Sequence, residues 1–172
     1  MNTRIATKSD AAGIASLYVR TRREAYDAFF PAEYLAEMSV EQYTSAWQER
    51  LSGNEPAMRT IVAEDATGNI AAFTRCGHHS GLPAHEGEVE FMYVAPEHWR
   101  KGAGAMLMSK AVGIMTSDGL ESAVLWVYRD NERARRFYEG CGWHFDGVGK
   151  DREFSGALIR QLRYRRTLRG TC

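Results

Sequence analysis

The stretch Val94-Ala95-Pro96-Glu97-His98-Trp99-Arg100-Lys101-Gly102-Ala103-Gly104-Ala105 decides how the rest of the chain is read. An apolar, strand-like run from Val89 to Val94 ends in a proline turn. Two adjacent cations follow, then two glycines, then an amphipathic run with Ala103, Met106, Leu107, Ala111, Ile114 and Met115 at helical spacing. That order puts a row of backbone N–H groups at a helix N-terminus. The helix dipole there favours anions, and the missing side chains allow close approach. The expected ligand is a pyrophosphate.

Two phosphate-binding patterns fit poorly. A P-loop needs Gly-Lys followed by Ser or Thr, whereas here Lys101 precedes Gly102 and no Gly-Lys-Ser/Thr occurs. A dinucleotide fingerprint needs a third glycine three positions after Gly104, and that position is Leu107.

A second segment narrows the choice. Val124-Leu125-Trp126-Val127-Tyr128 is rich in strand formers. Asp130-Asn131 can start a helix, on which Ala134, Phe137, Tyr138 and Cys141 share a face before Gly142-Trp143. Together the two segments resemble the GNAT superfamily of N-acyltransferases, whose acyl-CoA loop reads Arg/Gln-x-x-Gly-x-Gly/Ala after a Val-x-Pro-like turn. The glycines match at Gly102 and Gly104. The family's leading Arg or Gln falls on Trp99, a departure that leaves the main-chain cradle unchanged. The family's strand, Asn, helical Tyr seven residues on, and closing Gly-aromatic pair match at Asn131, Tyr138 and Gly142-Trp143. Arg4-Ile5-Ala6 and Ser9-Asp10-Ala11-Ala12 are similar to its first strand and capped first helix.

The resemblance implies acetyl-CoA as co-substrate and an amine as acceptor. Arg100, Lys101, Gly102, Ala103, Gly104 and Ala105 would hold the diphosphate. It implies that the fourth and fifth strands, Val89 to Val94 and Val124 to Tyr128, splay apart. Main-chain groups of Met92, Tyr93 and Val94 would then bond the pantetheine arm like an added strand. Asn131 would bond that arm, cap its helix, or do both. Paired subunits are common in the family, so a homodimer is compatible.

Acyl transfer to an amine needs a neutral amine, a stabilised oxyanion and a protonated leaving thiolate. An amine of pKa about 10 is mostly protonated at neutral pH, so a base is required. Glu88 and Glu90 are candidates, and strand alternation puts both on the face of Met92 and Val94. In relatives with a glutamate base it lies six residues before the Val of the proline turn, which is Glu88. Tyr138 holds the family's general-acid position. The oxyanion would meet a strand N–H near Met92 to Val94. Cys141 reads as a small buried hydrophobe rather than a nucleophile.

Alternating strands and helices with an antiparallel hairpin at Thr60 to Cys76 indicate an α/β fold. The expectation is one N-acetyltransferase domain over 1–172, a mixed, mostly antiparallel sheet of six or seven strands flanked by helices. Two short helices fill 31–53, broken near Ser39, and a polar loop spans Gly77 to Gly87. Tyr26, Phe29, Phe30, Tyr34 and Trp47 either fill core or line an acceptor pocket.

Lys plus Arg equals Asp plus Glu at 22 each, so charge demands no nucleic acid partner. Arg160, Arg163, Arg165, Arg166 and Arg169 cluster near the C-terminus and read as a charged edge strand. No apolar run approaches a membrane span of about 20 residues, and Met1-Asn2-Thr3-Arg4 lacks a secretory stretch, so a cytoplasmic location is expected. Cys76, Cys141 and Cys172 lack disulfide or zinc spacing. His78 and His79 would face opposite ways, so no metal is expected. The competing functions are a non-catalytic acyl-CoA sensor, which needs neither Glu88 nor Tyr138, and a nucleic-acid binder built on the terminal arginines.

Overall fold

The computed structural model describes residues 1–168. The strands are β1 (Asn2–Ile5), β2 (Met58–Glu64), β3 (Ile70–Gly77), β4 (Glu86–Val94), β5 (Ser122–Tyr128), β6 (His144–Phe154) and β7 (Ala157–Thr167). The helices are α1 (Ala11–Ala25), α2 (Ala32–Glu37), α3 (Val40–Arg50), α4 (Ala103–Ser117) and α5 (Glu132–Gly140). The sheet order is β1-β2-β3-β4-β5-β7-β6. Only β4 and β5 run parallel, and α4 makes the crossover that a parallel pair requires.

Two apolar layers sandwich the sheet. On one face Ile14, Leu17, Tyr18 and Val19 of α1, with Leu35 and Trp47 from α2 and α3, pack over Val62, Phe73 and Tyr93. On the other, Leu107, Met108, Ala111 and Met115 of α4 and Tyr138 of α5 cover Ala72, Val89, Ala123 and Leu125. Ser39 ends the pause between α2 and α3, its hydroxyl accepting from Gln42 N. No described helix is long and apolar enough to cross a membrane.

The pairing of β4 with β5 covers only Glu86 to Val89 against Ser122 to Leu125. Beyond Val89 the strands part, while β5 stays paired with β7 along its whole length. The splay expected of these strands is therefore present.

One expectation is corrected. Cys76 pairs with Val89 but Arg75 pairs with Phe91, so Glu90 is the extra residue of a bulge. The bulge reverses the strand's phase. Val89 and Met92, three apart, both face α4, whereas Phe91 and Tyr93 face α1. Glu88 and Glu90 therefore lie on the side of Phe91 and Tyr93, opposite Met92 and Val94, and not with them as alternation predicts. A second correction concerns β7, which carries the terminal arginines. It lies between β5 and β6 and is not an edge strand.

The first turn is pinned by charge. Arg4 donates to Asp10 at 2.8 Å and to Glu64 at 2.8 Å, and Thr7 N–H donates to Asp10 at 2.7 Å. The Arg4 guanidinium holds the Asp10 carboxyl down at about 2. A depressed carboxyl stabilises the fold above its unfolded pKa and loses that contribution as pH falls through the folded value. With Arg4 partly in solvent, the pair contributes about 1–2 kcal/mol. Asp10→Asn should lower Tm by a few degrees at pH 7, and the gap should close as pH falls from about 4 toward 2. Thermal unfolding at several pH values checks this.

Candidate active site

The loop before α4 is shaped by two left-handed residues, Arg100 (φ 58) and Gly102 (φ 86). A side chain at Gly102 would strain that conformation. Met106 N–H is the first to bond back into the helix, to Gly102 O at 3.0 Å. The N–H groups of Ala103, Gly104 and Ala105 precede it, with no intrahelical acceptor. A Cβ on Gly104 would come within 3.2 Å of Phe137, so glycine lets α4 and α5 approach.

A groove of about 600 Å³ runs from this loop to the gap between β4 and β5. Met92, Tyr93, Val94, Arg100, Gly102, Ala103, Gly104, Ala105 and Asn131 all line it. Lys101 does not, being exposed outside the lining. Among the lining residues, Arg133 and Thr21 escaped the sequence reading, and Trp99 makes a contact that reading did not assign. Trp99 donates its indole N–H to Val94 O at 2.8 Å, so that carbonyl is already engaged. Arg133 stacks on the Trp99 ring, 3.3 Å from its centroid. Burial lowers the Arg133 pKa from its ordinary value. Thr21 is buried, and its hydroxyl lacks a partner among the described residues. Arg133 could have been suspected from its place two residues past Asn131, in the first turn of a helix aimed at the groove. Thr21 gave no sequence signal.

On the opposite face of the sheet lies a second cavity of about 590 Å³. The two cavities share Tyr26, Met92, Tyr93, Asn131, Ala134 and Tyr138 as walls, so they meet where β4 and β5 part. Tyr138 is buried, and its hydroxyl has no hydrogen-bond partner among the described residues. Burial pushes its phenol well above the ordinary value, so it is a protonated donor at neutral pH. Asn131 is buried, and its Oδ1 accepts from Ala134 N at 3.1 Å. Helix capping is thus its observed role, and its amide NH2 remains for other partners.

Glu88 and Glu90 both line the second cavity. Glu88 Oε2 lies 2.7 Å from His79 Nε2, with 15% of the Glu88 side chain accessible and 34% of that of His79. His79 Nδ1 accepts from Gly81 N–H at 3.1 Å, so its proton sits on Nε2 and points at Glu88. Glu90 Oε2 lies 2.8 Å from Nε of the buried Arg75, which also pairs with Glu55. Burial pushes the Glu90 carboxyl up, with Arg75 and Arg50 pulling against it. Of the two, Glu88 is less committed to a structural ion pair. His79 was set aside in the sequence as half of a poor metal pair, and its bond to Glu88 spans a loop that periodicity cannot fold.

Other expectations resolve simply. Tyr26, Tyr34 and Trp47 line the second cavity while also packing in the core, and Phe30 is buried beneath them. Cys141 is half-buried and burial raises its thiol, which suits an inert side chain. His78 Nδ1 is 2.9 Å from Glu86 O, a different partner from that of His79. No group of three or more metal-binding side chains occurs among the described residues. Arg160, Arg163 and Arg165 pair with Asp151, Asp146 and Glu86, and Arg166 donates to Cys141 O, so they do not form a free basic patch. Arg169 and Cys172 lie outside the described residues.

The sequence pattern of the Acetyltransferase (GNAT) family matches residues 11–143. The chain is 28% identical over 133 residues to the uncharacterized N-acetyltransferase YuaI of Bacillus subtilis, covering 76% of this chain and 73% of that one. Among solved structures, the PaiA N-acetyltransferase of Thermoplasma acidophilum in complex with coenzyme A superposes with a TM-score of 0.77. That match has 18% identity and covers 97% of this chain and 99% of that one. YncA of Salmonella typhimurium, solved with its cofactor acetyl-CoA, gives 0.74 at 18% identity, covering 100% and 96%. With the family pattern spanning both the α4 loop and α5, this chain belongs to the GNAT family of acetyltransferases.

Proposed function

We propose that this chain, acting in the cytoplasm, transfers the acetyl group of acetyl-CoA to a primary amine, either a small molecule or a peptide. The observation that carries the reading is the meeting of two cavities at the β4–β5 gap, one bounded by free helix N–H groups and the other by carboxylates. Free main-chain donors at Ala103 to Ala105, with Arg100 and Arg133 beside them, suit a diphosphate. The stretch of β4 from Glu90 to Val94, paired with β3 but open on its β5 side, suits an extended amide-bearing arm.

Acetyl-CoA would supply the activated carbonyl: a C–N bond forms, the C–S bond breaks, and the products are an amide and CoA thiol. Glu88 takes the proton of the incoming ammonium, directly or through water. His79, whose Nδ1 accepts from Gly81 N–H at 3.1 Å, keeps its own proton on Nε2 and donates it to Glu88, which holds the carboxylate in place. Main-chain N–H groups near Met92 polarise the carbonyl, a role for donors fixed before the reaction begins. Tyr138 donates its O–H toward the leaving sulfur, and its protonated state at neutral pH fits that task.

The deciding experiment is thiol release from acetyl-CoA over a broad amine panel. Turnover on at least one amine is expected, and tight CoA binding without release on any amine would overturn the reading in favour of a sensor. Glu88→Gln should lower kcat/KM by about 10²-fold or more, with the loss greatest at low pH, where little free amine exists. An unchanged pH–rate profile would remove Glu88 from the role. Tyr138→Phe keeps the ring and should lower kcat by at least tenfold with CoA affinity, read by calorimetry, nearly intact.

A further inference from the structure

The second cavity contains a cation that the transfer chemistry does not use. Arg22 projects from α1, is 5% exposed and lines the cavity. Its Nε donates to Tyr93 Oη at 3.2 Å, one Nη to Tyr34 Oη at 2.9 Å, and the other Nη to Tyr128 Oη at 2.8 Å. The Phe30 ring centroid lies 4.7 Å from the guanidinium carbon. No carboxylate pairs with Arg22 among the described residues. The cavity's acids are taken elsewhere, Glu55 and Glu90 by Arg75, and Glu88 by His79. A guanidinium removed from water without an anion is costly to keep.

The phenols sharpen the point. Each hydroxyl that accepts from Arg22 must turn its own O–H elsewhere. At Tyr93 and Tyr128 no protein acceptor receives that proton among the described residues. Arg22 has five N–H groups and three are bonded to phenols. The cluster therefore presents a fixed positive charge, spare guanidinium N–H groups and polarised O–H donors to one volume. Donors of this kind fit a small oxyanion.

A complementary group stands beside them. Gln161 of β7 is 6% exposed, lines the same cavity, and its Oε1 has no hydrogen-bond partner among the described residues. It pairs directly across the ladder with Tyr128, so the two side chains share a face. An amide oxygen there accepts from an N–H. Tyr93 also forms a wall where the two cavities meet, which puts the cationic cluster next to the reacting position.

We propose, building on the acetyl-transfer reading, that the acceptor is a zwitterion of amino-acid type. It carries its amine within a few bonds of a carboxylate or similar small oxyanion, the anion held by Arg22 with the Tyr93 and Tyr128 hydroxyls and the amine facing Gln161. The buried cation then has a second use. It disfavours purely cationic amines such as polyamines, and it favours the neutral form of the amine that must attack.

The test compares free amino acids of both α and ω type with their methyl esters and with spermidine. It reads kcat/KM for acetyl transfer and calorimetric binding to the CoA-loaded protein. The expected result is at least a tenfold preference for an acid over its ester, with spermidine the poorest. Tyr128→Phe keeps the packing and should narrow the acid-to-ester ratio at least threefold, while Arg22→Met, if it folds, should abolish it. Equal use of acid and ester, a preference for spermidine, or no carboxylate-dependent binding would overturn the inference. Carboxylate-dependent binding with no thiol release on any amine would uphold this site and reject the acetyl-transfer reading instead.

Discussion

The rest of the structure depends on where one ladder of hydrogen bonds stops. β4 and β5 share a parallel ladder from Glu86 to Val89 and then separate. Buried main-chain groups must find partners, so a sheet opened at its centre is stable only if other donors or acceptors take over. The Trp99 indole takes one such group, Val94 O. β5 keeps its full antiparallel pairing with β7, so the split does not destabilise the far half of the sheet. The bulge at Glu90 sits where the gap begins and turns an acidic pair toward the cavity. Opening, bulge and indole bond are therefore one device. The loss of parallel pairing frees backbone, the bulge aims carboxylates at it, and the loop seals the end.

Charge is distributed around that opening unevenly. The acids of the second cavity each have a basic neighbour, whereas Arg22 is held by phenols and aromatic faces. Phenols can screen a buried cation without neutralising it. That keeps electrostatic potential inside a partly apolar chamber, where the low dielectric makes it felt. Tyr18 is buried and Tyr26 partly buried against the same guanidinium, and desolvation pushes both phenols well above their ordinary values. They stay protonated and leave the charge of Arg22 undiminished.

Local chemistry in the sequence was enough to find the elements and the groove. Gly102 and Gly104 mark the left-handed turn and the close helix approach because their absence of side chains is visible without tertiary context. Asn131 read correctly as a cap because that bond is made within three residues. The periodicity of α4 found Leu107, Ala111 and Met115, though Met108 is equally buried. The orientation of Glu88 and Glu90 could not be read. A bulge is a relation between two strands, and the alternation of one strand cannot report it. The same holds for β7, whose arginines signal an edge until β6 is known to lie outside it. Arg22 was hidden for a third reason. An Arg within the run Arg20-Thr21-Arg22-Arg23 looks like one of several exposed helix positions, and its cage is assembled from α1, α2, β4 and β5.

The placement of the two chambers on opposite faces of the sheet has a consequence for the order of events. Each reactant has its own doorway, and the doorways do not overlap except at the slit they both reach. Neither guest needs to leave before the other arrives, so nothing in the architecture calls for the protein to carry the acyl group itself between visits. On the acetyl-transfer reading proposed above, the scaffold would seat both guests together, an arrangement that suits sequential turnover better than a double-displacement cycle.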